Sequence, residues 1–392
     1  MQLTQPAPPT RARPSWTDWA KENLFSTPLN TVLTVVFGAL ILWVAYSFTA
    51  WALTGARWNV VPTNWRILMV GSYPAEQLWR VWTVLSVVSL TAGLHWGGAS
   101  RGSRVPAWPF VTAGLIAAFF LVTQWGFPSS LLVPVAVLAL FAGFFAGRTL
   151  VSTRAINLVW LGIFVAAMVL LSVDFGAGGV QTSLWGGLLL TIILAVVGIV
   201  ASFPLGVLLA IGRTSQYPII SAICTAFIEI VRGTPLVVVF FIAQLFVPLL
   251  LGGTNIDPLL RAMVGITVFS AAYLAENVRG GLQSLPAGQT EAARALGLNG
   301  TQTLSLIVLP QALRAVVPAL VGQGIALFKD TSLVYIIGLK ELTNIANSVT
   351  KNPEFIGTER EMYFVISVIY FIFSYAMSLG ARNLEKRLNT SR

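Results

Sequence analysis

The chain has 392 residues and a formal net charge of +10, yet only 10% of its residues are charged while 56% are hydrophobic. An ordinary soluble domain carries roughly 25% charged residues, so this composition excludes a water-soluble globular protein. The positive charge is then a matter of membrane topology before it is a footprint for nucleic acid. A single cysteine, Cys224, and a single histidine, His95, leave no disulfide framework and no His/Cys metal cluster.

Residues 1–28 are polar and proline-rich, with Arg11, Arg13 and Lys21, and lack a short apolar run ending in small residues. They are expected to form a cytoplasmic tail rather than a cleaved leader. A helix needs about 20 mostly apolar residues to cross a bilayer. Ten apolar segments follow, centred near residues 41, 90, 115, 139, 165, 198, 235, 268, 318 and 370, which predicts an all-α polytopic membrane protein of about ten transmembrane helices. The first five, within residues 29–176, are plain apolar spans joined by short connections such as Arg101 to Arg104 and Gln124 to Ser129. One longer link, Thr54 to Arg80, holds Trp58, Trp65 and Trp79, which suits a segment lying at the membrane interface. With both termini inside, most of the 24 Lys and Arg fall on the cytoplasmic side, although Arg57, Arg66 and Arg80 of that link run against the rule.

From Trp185 onward the chain changes character, because Glu229, Arg232, Glu276, Lys329 and Asp330 sit at or near membrane depth. A charge there costs at least about 2.5 kcal/mol and normally faces protein or a wet cavity. Glu229 and Arg232 are three apart on one helical face and are expected to pair. They either brace the bend made by Gly233 and Pro235 or line a pathway with Thr234, where Pro235 frees backbone groups. The run Lys329, Asp330, Thr331, Ser332 is either an interfacial helix break or an unwound turn offering carbonyls and hydroxyls. Glu276 and Arg279 fall near the cytoplasmic end of the eighth span, as a gate or an interface with a neighbouring subunit. No acid and base pair for catalysis appears, and none of the five lysines follows a glycine, so the chain has no Walker A loop.

Between the eighth and ninth spans the sequence turns polar. Ser284 is expected to cap a short helix whose early Pro286 loses no hydrogen bond, and Gly297 and Gly300 to end short helices. Here Glu291, Ala292 and Ala293 are followed after three residues by Gly297 and after nine more by Ile307, Val308, Leu309 and Pro310. This pattern resembles the EAA loop of ABC importer permeases; its seven fixed positions, Val308 being the variable one, would coincide by chance on the order of 10⁻⁸ per starting point. Phe227 to Leu236 (FIEIVRGTPL), Ala275 to Gly281 (AENVRGG), Leu309 to Arg314 (LPQALR) and Phe328 to Leu333 (FKDTSL) resemble the permeases of polar amino acid importers, the histidine and glutamine group. The leading spans, Asn23 to Thr27 and Ser183 to Thr191 resemble the longer permease subunit of general L-amino acid importers.

The resemblance implies a five-helix type I ABC importer permease core at residues 183–387, preceded by about five extra helices, with a cytoplasmic coupling loop at 284–303. It implies that Glu291, Ala292, Ala293 and Gly297 seat in a cleft of an ATPase subunit. Substrate-pathway candidates are Glu229, Arg232, Thr234, Glu276, Lys329, Asp330, Thr331 and Ser332. It further implies a second, homologous permease, two ATPase subunits that hold the ATP and Mg, an extracytoplasmic binding protein, amino acids as cargo, and the bacterial inner membrane; this chain itself would hold no cofactor and no metal. Where many members carry Gln shortly after the Arg-Gly-Thr-Pro motif this chain has Val239, which leaves some polar substrate contacts to the partner permease. The rival is an ion-coupled secondary amino acid carrier, which often shows two related halves; no such repeat is visible here.

Overall fold

The computed structural model describes residues 15–101, 105, 108–123, 132–149, 153–174 and 178–389. The first fourteen residues of the expected tail, with Arg11 and Arg13, and the Gln124 to Ser129 connection lie outside these. The described residues are helical without a named strand, and the chain forms two compact units, Met1–Arg57 and Trp58–Arg392.

The first unit holds α1 (Trp16–Asn23) and α2 (Pro28–Ala50). Ser15 caps α1 by accepting from the Asp18 N–H, and Thr27 caps α2 by accepting from the Asn30 N–H at 3.1 Å, with Pro28 at the first helical position. α2 is apolar on every side and buries none of its residues against its own chain, the pattern of a lipid-facing span.

The second unit begins with α3 (Val60–Val70), α4 (Leu78–Ala99), α5 (Trp108–Thr123), α6 (Leu132–Thr149) and α7 (Thr153–Ser172). It continues with α8 (Gly187–Arg213), α9 (Pro218–Arg232), α10 (Leu236–Phe241), α11 (Val247–Leu250) and α12 (Pro258–Gln283). Then come α13 (Ala287–Ala295), α14 (Gly300–Gln302), α15 (Leu309–Asp330), α16 (Leu342–Thr350) and α17 (Glu359–Asn389). Nine of the ten expected span centres fall inside helices, and the tenth, near 235, falls at the break between α9 and α10. By length and apolarity six helices among the described residues can cross a membrane, and a seventh if α9 and Leu236–Leu250, bent by 106° at that break, count as one broken span. The helices at 90, 115 and 165 are not among those six.

α4 and α6 meet backbone to backbone. Gly93 and Gly97 on one helix, and Gly143 and Gly147 on the other, are each spaced four apart. A Cβ on Gly93 would lie 2.0 Å from the Leu140 carbonyl oxygen, one on Gly97 2.0 Å from that of Phe144, and one on Gly143 2.1 Å from that of Leu90. Without a hydrophobic drive inside lipid, such close approach is how two spans gain packing. The Thr54 to Arg80 link contributes α3 to the core: Val60, Val61 and Leu68 are buried with Leu342, Ile345, Met362 and Ile366, while Trp58 and Trp79 stay exposed. Arg80 is buried too, donating from Nη1 to the Val173 carbonyl at 2.6 Å and from Nη2 to that of Gly178 at 2.8 Å. It thereby satisfies carbonyls left over where α7 ends.

The C-terminal half is built around α12. Small residues Ala271, Ala272 and Ala275 let α8 approach closely, and a Cβ on Gly206 would meet the Ala271 carbonyl at 2.8 Å. On another face Gly281 abuts the Ala312 carbonyl of α15. Val239 packs partly buried against the core that includes Phe240 and Ile266.

Candidate functional site

The polar loop after α12 is a short helix, α13, followed by a turn. Ser284 does not open it as expected: its hydroxyl donates to the Gly281 carbonyl at 2.8 Å, closing α12, while Pro286 stands at the start of α13 with no side-chain cap. The end of α13 follows from the residue at 297. Gly297 has φ +78°, its N–H reaches the Arg294 carbonyl at 2.9 Å, and the Leu298 N–H reaches the Ala293 carbonyl at 3.1 Å. These are the two bonds of a Schellman turn, which wants a left-handed residue and so favours glycine. Gly300 starts α14 instead of ending a helix; Asn299 caps it by accepting from the Gln302 N–H at 2.9 Å.

The four loop residues do not share one face. Ala293 is 3% exposed, turned against its own chain, whereas Glu291, Ala292 and Gly297 are exposed. A Cβ at Gly297 would meet nothing within 4 Å. Gln311 of α15 holds the loop from behind, donating to Gln289 Oε1 at 3.2 Å and to the Ile307 carbonyl at 2.8 Å.

About 10 Å along α12 from its end, at 1.5 Å per residue, lies a cluster of five charges. Glu229 and Arg232 do not pair with each other. Arg213 Nη1 contacts Glu229 Oε1 at 2.8 Å and Glu276 Oε2 at 3.2 Å, and Arg232 Nη1 approaches Glu276 Oε2 at 3.7 Å. Arg279 forks onto Glu276 from the next turn of the same helix and also donates to Gln283 Oε1 at 2.6 Å. Three guanidiniums thus converge on one carboxylate at the meeting of α8, α9 and α12. Arg232 lies over the Tyr273 ring at 5.5 Å, a cation–π contact, and the Tyr273 hydroxyl donates to the Arg232 carbonyl at 3.3 Å. The expected local pair fails because an apolar helix offers Glu229 one neighbour at i+3, whereas α8 ends opposite it in an arginine. Arg213 was missing from the sequence-based set; its place in the last turn of a 27-residue apolar helix was the signal.

Thr234 lies outside this cluster: its hydroxyl turns back to the Ile230 carbonyl at 2.7 Å, beside the bend. Lys329 to Ser332 does not unwind. α15 runs to Asp330, and residues 331–337 tighten into a 3₁₀ turn closed by Gly338. Thr331 is buried with its hydroxyl on the Phe328 carbonyl at 2.7 Å, Lys329 is exposed, and Asp330 and Ser332 are partly buried. Between the two regions Asn277 donates to Gln323 Oε1 at 2.7 Å, and Gln323 donates to the Ser270 carbonyl at 2.7 Å, a polar link from α12 to α15 that the sequence did not flag.

Residues 202–390 match the family described as binding-protein-dependent transport system inner membrane component. Along 95% of its length, and 93% of the relative's, the chain is 36% identical to the inner membrane amino-acid ABC transporter permease protein YhdY of Escherichia coli. The chain belongs to this family of inner membrane transport components. It is also 36% identical, over 99% of its length and 97% of the relative's, to the glutamate/glutamine/aspartate/asparagine transport system permease protein BztC of Rhodobacter capsulatus. The glutamate/aspartate import permease protein GltK of Escherichia coli is 38% identical but aligns with 51% of this chain and 91% of itself. This transport component is therefore of the longer type, and the family is the one that the loop pattern at Glu291 to Pro310 implied. Its members are transport subunits rather than catalytic enzymes.

Proposed function

We propose that this chain is the longer permease subunit of an ATP-driven importer of amino acids. The observation that carries the reading is the likeness, along nearly the whole chain, to a protein named as an amino-acid ABC transporter permease. In this reading residues 183–387 form the transporting core, residues 29–176 are an added membrane scaffold behind the 1–28 tail, and both termini lie in the cytoplasm. The loop at 284–303 docks on an ATPase subunit, which holds the ATP and Mg. Glu291, Ala292 and Gly297 form the docking face, since they are exposed on α13 and its closing turn, and Ala293 packs that helix onto the permease.

The pathway runs beside the charged cluster, between this core and that of a second, homologous permease. Glu229, Arg232 and Glu276 gate its cytoplasmic end, with Thr234 at the bend, and Lys329, Asp330 and Ser332 border it at the far end of α15, where the buried Thr331 holds the turn behind them. Closure of the two ATPases, passed through α13, opens the pathway outward to an extracytoplasmic binding protein that delivers the cargo. Support for the gate comes from the geometry: Glu276 is shared by arginines from three helices, so a shift of any one breaks an ion pair.

The test is isolation in mild detergent followed by reconstitution. A complex containing a second permease, two ATPase subunits and a binding protein, with glutamine or glutamate uptake that needs ATP and ignores an imposed proton or sodium gradient, is expected. Uptake driven by an ion gradient in the absence of any ATPase would overturn the reading.

A further inference from the structure

The helices that meet at the charged cluster are held with unequal strength. α12 buries side chains along its length, from Leu259 to Gly281, and touches α8 and α15 through backbone. A Cβ on Gly206 would lie 2.8 Å from the Ala271 carbonyl oxygen, and one on Gly281 would lie 2.7 Å from that of Ala312. Gln323 fastens α15 to α12 a second time. Its amide donates to the carbonyl and the hydroxyl of Ser270, at 2.7 and 3.1 Å, while its Oε1 accepts from Asn277. α8, α12 and α15 thus form one body.

α9 is held far more lightly. Of its 15 residues Ile228 alone is buried, among Ala210, Leu274, Ala275 and Val278, whereas Ile219, Ile223 and Ile230 are exposed. Its other ties near that end are polar: Glu229 to Arg213 at 2.8 Å, Arg232 to Glu276 at 3.7 Å, and the Tyr273 hydroxyl on the Arg232 carbonyl. Ion pairs with access to solvent contribute little each, and few buried apolar contacts mark a segment that opens at low cost. Both ends of α9 are joints. Residues 214–217 link it to α8 without helix. At Gly233 to Pro235 the chain turns by 106°, and Pro235 brings no N–H to carry a helix across. Beyond that joint the chain is fixed again, with Leu236, Phe240 and Ala243 buried. The ion pairs divide along the same line. Glu276 binds Arg213 and Arg279 within the body, while Glu229 to Arg213 and Arg232 to Glu276 cross to α9.

We propose that α9 is the moving flap of the gate: it swings as a rigid helix between its two joints, against a body made of α8, α12 and α15. Its pairs with Arg213 and Glu276 break and re-form in each cycle, while Arg213 and Glu276 stay bound to each other. This rests on the importer reading and deepens it by naming the part of the cytoplasmic gate that moves. Breaking an ion pair is costly when it leaves a charge buried and bare. Here the two side chains that let go, Glu229 and Arg232, are 54% and 31% exposed, so water takes the partner's place. Glu276, which is 22% exposed, keeps two arginines throughout.

Cys224 of α9 supplies the test. A Cβ on Gly212 of α8 would lie 3.5 Å from the Cys224 Cβ, within the span of about 3.5–4.5 Å that a disulfide bridges, so oxidised Gly212→Cys staples the flap to the body. The control, in a chain with Cys224→Ala, is Ala243→Cys with Gly265→Cys, whose Cβ atoms would lie 3.3 Å apart and which joins two parts of the body. Loss of free-thiol labelling shows that each bond has formed. In the whole complex in proteoliposomes, ATP-driven uptake of radiolabelled L-glutamine and L-glutamate is expected to fall about tenfold or more when Gly212→Cys is oxidised. Dithiothreitol should restore it, and oxidation of the control should change uptake by less than about twofold. A second measurement needs no staple: in the Cys224→Ala chain, spin labels at Ile223 and Leu260 should change their separation between nucleotide-free and ATP-bound complexes, while labels at Arg314 and Leu260 should not. Uptake by oxidised Gly212→Cys equal to its reduced form, a pair that forms no disulfide, a control staple that also blocks, or label separations that change at both pairs or at neither would overturn the flap and leave the importer reading standing. A wild-type complex without ATP-driven uptake of any amino acid would overturn the importer reading itself.

Discussion

Gly297 permits a test in which backbone and contact effects separate. Its φ is +78°, and an added Cβ would touch nothing within 4 Å of its own chain. Inside this subunit, then, a side chain at 297 is penalised only for the left-handed backbone, about 1–2 kcal/mol for an L-residue such as alanine. That strain opposes the two bonds that close α13, from the Gly297 N–H to Arg294 and from the Leu298 N–H to Ala293, and shifts the population of the closed turn by roughly tenfold. Asparagine tolerates the left-handed region and valine does not. In reconstituted complexes the amount of ATP hydrolysed per amino acid imported is expected to rise for Gly297→Ala and further for Gly297→Val. Gly297→Asn decides the cause: near-normal coupling means that turn geometry is what the ATPase needs, and coupling as poor as that of alanine means that the ATPase backbone approaches position 297 too closely for any side chain. Wild-type coupling in the valine variant would refute both accounts and remove the loop from the mechanism.

Gly97→Ala should lower the thermal midpoint in detergent, because the new Cβ would sit 2.0 Å from the Phe144 carbonyl and prising α4 from α6 costs about 1–3 kcal/mol; Gly114→Ala, with nothing within 4 Å, is the control, and equal midpoints would disprove the contact. Glu276→Gln leaves three guanidiniums without their shared carboxylate and should destabilise by about 2 kcal/mol, the low end for a charge pair whose members keep some solvent. Adding Arg213→Gln should then cost less than it does alone, and strictly additive midpoints would show that the two do not interact. Burial raises the Glu341 carboxyl from 4.5 to about 7, against the lowering effect of N–H groups from Thr343 and Asn344. Its contribution is full below pH 4.5 and is lost as pH rises to about 7, roughly 3 kcal/mol in all. Stability of the wild type should therefore fall over that window relative to Glu341→Gln; parallel curves would contradict the assignment.

What could be read from the sequence follows the range of the forces involved. Helices and their apolar length depend on neighbours a few residues away, so the span centres from 41 to 370 fell on helices or at a recognisable break. The turn at Gly297 was legible for the same reason, since only glycine sits easily in the conformation that closes α13. Ion-pair partners were not legible, because they depend on which helix ends stand opposite each other. Glu229 and Arg232, near in sequence, each found a partner far along the chain in Arg213 and Glu276. The caps at Ser284 and Gly300 went astray by a single choice between closing one helix and opening the next, which local propensity does not settle. Trp185 gave no signal at all; that its indole N–H is buried without a hydrogen-bond partner is visible only once its surroundings are folded.

α12 connects what the sequence kept apart. Asp257 caps its first turn, Ser270 and Asn277 join it to α15 through Gln323, Glu276 and Arg279 anchor the charged cluster, and its last turn passes through Ser284 into α13. It is a helix with no proline beyond its first residue, and its buried face is packed on small residues against α8. From Leu259 to Arg279 it holds none of the prolines, bulges or Gly/Ser pairs at which helices kink, and Gly280 and Gly281 place the flexible point next to its end. A push on α13 crosses Gly280 and Gly281 before it reaches Glu276, about 10 Å from the end of α12, and the stiff remainder of the helix carries it to Asp257, about 40 Å away. A small motion near the cluster is enough to break a 3.7 Å contact between Arg232 and Glu276, and the swing is larger at the far end, where Asp257 caps the helix. Breaking the charged cluster and displacing the far end of α12 would thus be a single mechanical event, carried by one helix from Glu276 outward.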